Sequence, residues 1–161
     1  MSRKTWLLAI ALLLLLLPGC TSPPDTATVT HVIDGDTIII EGGYRVRYIG
    51  IDTPEVEAFG MEAWQANHRL VEGKEVRLER DVSETDKYGR LLRYVYVNDI
   101  FVNAELVRQG LTKAKAYPPD IKYQDYLEAM EAEARSEGRA MWVKLPTTSF
   151  YYLPRAQTCL R

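Results

Sequence analysis

Between residues 28 and 51 short apolar runs, alternating with polar positions in the last of them, are broken by Gly-Asp and Gly-Gly. TVTHVI (28–33), DTIIIE (36–41) and YRVRYIGI (44–51) are therefore predicted strands, rich in β-branched and aromatic residues. In the third, Tyr44, Val46 and Tyr48 share one face while Arg45 and Arg47 share the other. KEVRLERD (74–81) reads as a fourth strand, and LLRYVYV (91–97) as a fifth that turns at Asn98-Asp99. Helical spacing takes over from about Gly60 to Glu72, where Ala63, Ala66, Leu70 and Val71 form an apolar stripe ahead of Gly73. VNAELVRQ (102–109) is a short helix stopped by Gly110. A last helix is predicted from about Lys122 to Trp142, burying Tyr126, Leu127, Met130 and Ala134 and leaving Glu128, Glu131 and Glu133 to solvent. Five short strands with about three helices imply an α+β domain, predominantly β: a small closed barrel, with the OB type the leading candidate.

The first residues belong to a different pattern. Arg3 and Lys4 precede an unbroken apolar run, Trp6–Leu17, and then Pro-Gly-Cys. A basic start, an apolar stretch of about a dozen residues and a small residue before a cut make a secretory signal peptide. The run is shorter than the roughly 20 residues a permanent membrane helix needs. LPGC (17–20) resembles a bacterial lipobox, which would place a lipid on Cys20 and anchor the chain in the cell envelope, outside the cytoplasm; without the lipid the chain is secreted. The expected plan is a signal peptide (1–19), a lipidated Cys and tether (20–27), one barrel domain (28–145) and a C-terminal tail (146–161).

Composition then narrows the chemistry. Cys159 is the one other cysteine, and two isolated histidines, His31 and His68, give no zinc spacing. Without residues 1–19 the chain carries 18 basic and 22 acidic residues, a formal net charge of −4. That argues against non-specific electrostatic grip on nucleic acid, but not against nucleic acid as a substrate when a bound cation supplies part of the attraction.

Charges also thread the apolar strands of residues 32–55, where an unpaired charge is costly. Asp34-Gly-Asp36 sits between two strands and Asp52-Thr-Pro-Glu55 follows a third. Singly, each is ordinary turn chemistry. Together they would deliver carboxylates from adjacent strand ends to one patch, where repulsion calls for a hard cation, Ca²⁺ or Mg²⁺. Arg47 lies five residues before Asp52, an odd spacing that sends the two to opposite faces of a regular strand. A bend near Gly50 would bring them together; otherwise Arg47 is a structural partner for a nearby carboxylate. TDKYGR (85–90) adds a turn with Lys87 and Arg90 around Tyr88, suited to a phosphate beside a sugar or base, or simply an exposed hairpin.

VIDGDT (32–37), the stretch from Arg47 to IDTPE (51–55), TDKYGRLLRYVY (85–96), VNAELVRQGL (102–111) and Trp142 resemble, in order, the thermonuclease family of staphylococcal-nuclease-like proteins. The resemblance implies a five-stranded OB-type barrel with three helices and Ca²⁺-dependent endonucleolytic hydrolysis of DNA or RNA. By motif it implies Asp36 and Asp52 as carboxylate ligands of Ca²⁺ and Thr53 as a backbone ligand. Glu55 would be the general base, and Arg47 and Arg90 the phosphate-binding arginines. Lys87 and Tyr88 match positions near the bound nucleotide, and Tyr117 matches a base-stacking aromatic once the alignment is shifted. The expected partners are nucleic acid as substrate and the membrane through the anchor, for a monomeric chain. The competing expectations are a non-catalytic nucleic-acid-binding module and a structural envelope lipoprotein on the same fold.

Overall fold

The structure, a computed structural model, describes residues 22–54 and 57–143. The signal segment, Cys20, Glu55 and the tail lie outside the described residues.

Strands β1 (Thr26–Val32), β2 (Thr37–Ile40), β3 (Arg45–Tyr48), β5 (Glu75–Glu79) and β6 (Leu91–Val97) pair in the order β3-β2-β1-β5-β6. A parallel pairing of β3 with β6, Val46 opposite Leu91, closes the sheet on itself. The result is a five-stranded barrel of the OB type, and closure removes the exposed edges that an open sheet would leave. A bulge between Val29 and His31 lets β1 curl from β2 toward β5. A short strand β7 (Ile100–Phe101) extends the sheet beyond β6, and β4 (Ile51–Asp52) pairs separately with β8 (Lys113–Ala114).

Alternation decides what faces the barrel interior. Val29, Ile38, Ile40, Val46, Val76 and Val95 are buried, and each fully buried aliphatic side chain contributes about 1.5–3 kcal/mol. Three helices, α1 (Glu57–Val71), α2 (Val102–Arg108) and α3 (Gln124–Glu137), pack around the barrel. Ala63, Ala66 and Val71 of α1 are buried in the shared core and Leu70 is partly buried against it, the predicted stripe. None of the helices among the described residues is long and apolar enough to cross a membrane.

The last helix departs from expectation at its end and on its faces. It stops at Gly138, which is left-handed (φ 66°), and Ala140–Trp142 forms a separate 3₁₀ turn. Leu127 and Ala134 are buried, but Tyr126 is half exposed, its ring stacked on Phe101 at 6.3 Å. Glu131 is not a solvated residue: its carboxylate accepts a hydrogen bond from the Ala114 amide at 2.8 Å and ties α3 to β8.

Two buried asparagines fasten helices to barrel corners. Asn67 on α1 donates to the Asp34 carbonyl and accepts from the Tyr48 hydroxyl, both at 2.9 Å. Asn103 on α2 accepts from the Val95 amide at 3.0 Å and donates to the Ile49 carbonyl at 2.8 Å. The corner it braces turns at Gly50, whose φ of 78° is left-handed. A Cβ added there would lie 2.4 Å from Leu127 Cδ1. Gly50→Ala is therefore expected to lower stability by about 1–3 kcal/mol through backbone strain, with overpacking against Leu127 on top, and urea denaturation measures it.

Candidate functional site

The β1–β2 turn brings the first carboxylates to one end of the barrel. Asp34 Oδ1 accepts from the Asp36 amide at 2.9 Å, an Asx turn that starts β2. Between them, Gly35 is required by close approach: a Cβ would fall 2.6 Å from Ala63 Cβ and 2.7 Å from Thr53 Oγ1. Asp36 is buried, and both of its oxygens have partners. Oδ2 accepts from the Thr53 amide at 2.8 Å, while Oδ1 accepts from the Thr37 hydroxyl at 3.1 Å and meets Arg47 Nη1 in an ion pair.

Arg47 reaches this point from β3, and the Gly50 bend returns the chain to the same guanidinium. Nη2 donates to Asp52 Oδ1 at 3.1 Å and to the Ile51 carbonyl at 3.2 Å. The odd Arg47–Asp52 spacing is thus reconciled by the corner, as a bend near Gly50 required. Asp52 carries further partners: Lys115 Nζ sits 2.8 Å from Oδ2, and the Tyr117 hydroxyl donates to Oδ1 at 3.4 Å.

Burial and neighbouring charge set the protonation of this group. Burial pushes the Asp34 carboxyl up, and the charge on Asp36 pushes it further. Burial acts in the same direction on Asp36, but the Arg47 guanidinium and the hydrogen bond from the Thr53 amide help to outweigh it, and that carboxyl is held below the usual range. The hydrogen bond to Asp52 holds the Lys115 ammonium above the usual amine range.

Arg90 arrives from a separate turn that builds itself. Asp86 accepts from the Tyr88 and Arg90 amides at 2.9 and 3.0 Å and from Arg90 Nε at 2.7 Å. One carboxylate thereby fixes both the turn and the guanidinium it presents.

Two cavities meet at the arginines. A cleft of about 690 Å³ is lined by Asp34, Asp36, Arg47, Asp52, Thr53 and Arg90. Beside it, a cavity of about 450 Å³ is lined by Arg47, Lys87, Tyr88, Arg90 and Tyr117 among others. Tyr88 is 70% exposed and Tyr117 42%, so both rings are open to a ligand. The structure therefore brings Asp36, Arg47, Asp52, Thr53 and Arg90 together at one cleft and Lys87, Tyr88 and Tyr117 beside it. Lys115 and Asp86 were not singled out from the sequence. The four-residue step from Asp86 to Arg90 around a glycine was a local signal for the second; Lys115 meets Asp52 only through the β4–β8 pairing.

The donor chemistry fits a hard cation. Asp36 and Asp52 converge on one guanidinium, and Thr53 Oγ1 is buried at the same place without a hydrogen-bond partner. All are oxygen donors, the set that suits Ca²⁺ or Mg²⁺ completed by water. Among the described residues, no three His, Cys, Asp or Glu side chains gather into a ready-made metal cluster, so the protein alone would supply only part of a coordination sphere.

Barrel and cleft together define an α+β protein of the OB type with a guanidinium- and carboxylate-lined opening at one end. The chain belongs to the family described as staphylococcal nuclease homologues, which matches residues 45–144. It is 41% identical over 124 residues to a thermonuclease of Staphylococcus intermedius, covering 71% of this chain and 74% of the relative. It is 39% identical over 127 residues to a thermonuclease of Staphylococcus hyicus, covering 73% and 75%. With endonuclease YncB of Bacillus subtilis it shares 40% over 129 residues, 73% of this chain and 61% of the relative.

Asp86 offers a test of the electrostatics on its own turn. Burial raises its carboxyl, but the hydrogen bonds from Arg90 and Tyr88 win and lower it. A carboxylate lowered on folding adds stability above its unfolded pKa and loses it as the pH falls through the lowered folded value. Asp86→Asn is expected to cost about 1–3 kcal/mol near neutral pH, with the gap to the wild type closing as the pH drops below the ordinary carboxylate range. Urea denaturation at neutral and strongly acidic pH reads both.

Proposed function

We propose that the chain is a calcium-dependent endonuclease that hydrolyses phosphodiester bonds of DNA or RNA outside the cytoplasm. The observation that carries this reading is the convergence of Arg47 and Arg90 on the cleft that also holds Asp36 and Asp52. The printed names of the relatives, thermonuclease and endonuclease, support the same activity.

In this reading Asp36, Asp52 and Thr53 hold Ca²⁺, which when bound supplies a Lewis acid for the negative charge that grows on the phosphate. Arg47 and Arg90 take the non-bridging oxygens. Their planar forks each offer two parallel donors, which a lysine would not. Interactions that strengthen as charge develops lower the barrier rather than merely tightening substrate binding. Arg47 is 13% exposed at its side chain, so its donors are already largely stripped of water before a phosphate arrives. Glu55, assigned through the Asp-Thr-Pro-Glu motif, takes a proton from the attacking water. Lys87, Tyr88 and Tyr117, around the second cavity, receive the sugar and base next to the scissile phosphate. A signal peptide with a lipid on Cys20 would hold this activity at the envelope.

The purified chain is incubated with single-stranded DNA, duplex DNA and RNA, with Ca²⁺ and then with chelator. Cleavage is expected only with Ca²⁺, and Arg47→Ala is expected to lose about 10²–10³ in rate. Glu55→Gln is expected to remain folded and to bind Ca²⁺ while losing most of its rate. No cleavage from a folded wild type would leave a non-catalytic binding module instead.

A further inference from the structure

The two candidate cation ligands are held in different ways. Asp36 is buried and locked by backbone and side-chain donors that have nowhere to go: the Thr53 amide, the Thr37 hydroxyl and Arg47. Asp52 is more open, with 38% of its side chain exposed, and its outer oxygen Oδ2 is held by Lys115, whose own side chain is 49% exposed. The Lys115 backbone is fixed, since its amide donates to the Gly50 carbonyl at 2.9 Å. Half of its long side chain is open to solvent, so the ammonium can leave Asp52 without disturbing the strand. It lies between Asp52, which lines the first cleft, and Tyr117, which lines the second and whose ring centroid is 5.2 Å from Nζ.

Resting on the calcium reading above, we propose that Lys115 is a resident counter-cation of Asp52 that competes with the divalent ion for Oδ2 and, once displaced, binds a phosphate of the substrate strand between the two cavities. A unit charge a few ångströms from a divalent ion opposes it measurably even at the dielectric of water, so removing it is worth about tenfold in cation affinity at low salt. The same ammonium near a phosphate adds attraction that falls with ionic strength. The two roles give Lys115 opposite effects on two ligands. A lysine that merely braced the fold would not do that.

The test is calorimetry on the full chain and on Lys115→Met, with Lys115→Arg as the charge-keeping control. CaCl₂ is titrated first without substrate, then a nucleoside 3′,5′-bisphosphate is titrated at saturating Ca²⁺. Lys115→Met is expected to bind Ca²⁺ about tenfold more tightly and the bisphosphate several-fold more weakly, with a smaller salt dependence. Lys115→Arg is expected to stay near wild type in both. Equal or weaker Ca²⁺ binding by Lys115→Met overturns the proposal while leaving the calcium reading intact. An absence of Ca²⁺ binding in all three proteins overturns the calcium reading and the proposal with it.

Discussion

Carboxylates delivered to one end of a small barrel repel each other, and the molecule answers that constraint with a single largely buried guanidinium. Arg47 ties the β1–β2 turn through Asp36, the corner through the Ile51 carbonyl and β4 through Asp52. Removing one partner of such a set leaves the others buried and uncompensated, which costs far more than the net contribution of the intact set. The arrangement is accordingly rigid on the side of Asp36 and loose on the side of Asp52. That asymmetry separates a fixed half of the site from an adjustable one.

The frame beneath is polar as well as apolar. Asn67 and Asn103 each satisfy one donor and one acceptor from different elements, so α1 and α2 are positioned by hydrogen bonds to the corners that carry the site. A buried amide left unpaired would cost about as much as a buried methylene cluster gains, so these contacts discriminate strongly against slipped packing. Asp86 does the corresponding work outside the barrel, where no core is available to hold Arg90.

How much of this was legible beforehand follows from the range of each interaction. Runs of β-branched and aromatic residues placed the barrel strands because a buried core selects its residues locally, and β6 was found at its observed ends, Leu91 and Val97. The stripe of α1 was legible for the same reason. Tyr126 and Glu131 were misjudged because helical periodicity does not know that Phe101 and the Ala114 amide lie across from them. Within the site, Asp36, Arg47 and Asp52 were readable as charges too costly to strand among apolar residues. Lys115 was invisible, because nothing near it in sequence predicts that β8 will pair with β4. Asp86 was in plain view, but a turn aspartate is common enough that its partner had to be seen.

The corner at Gly50 also governs how this chain tolerates changes in length. The peptide from Tyr48 to Ile51 converts one face of a strand into the other, so the number of residues in it is itself part of the site. One residue inserted there would return Asp52 to the wrong side and unpair Ile51 from Ala114. Lengthening is thus forbidden at this corner, and a spacing of five residues is as much a functional element as the residues it separates.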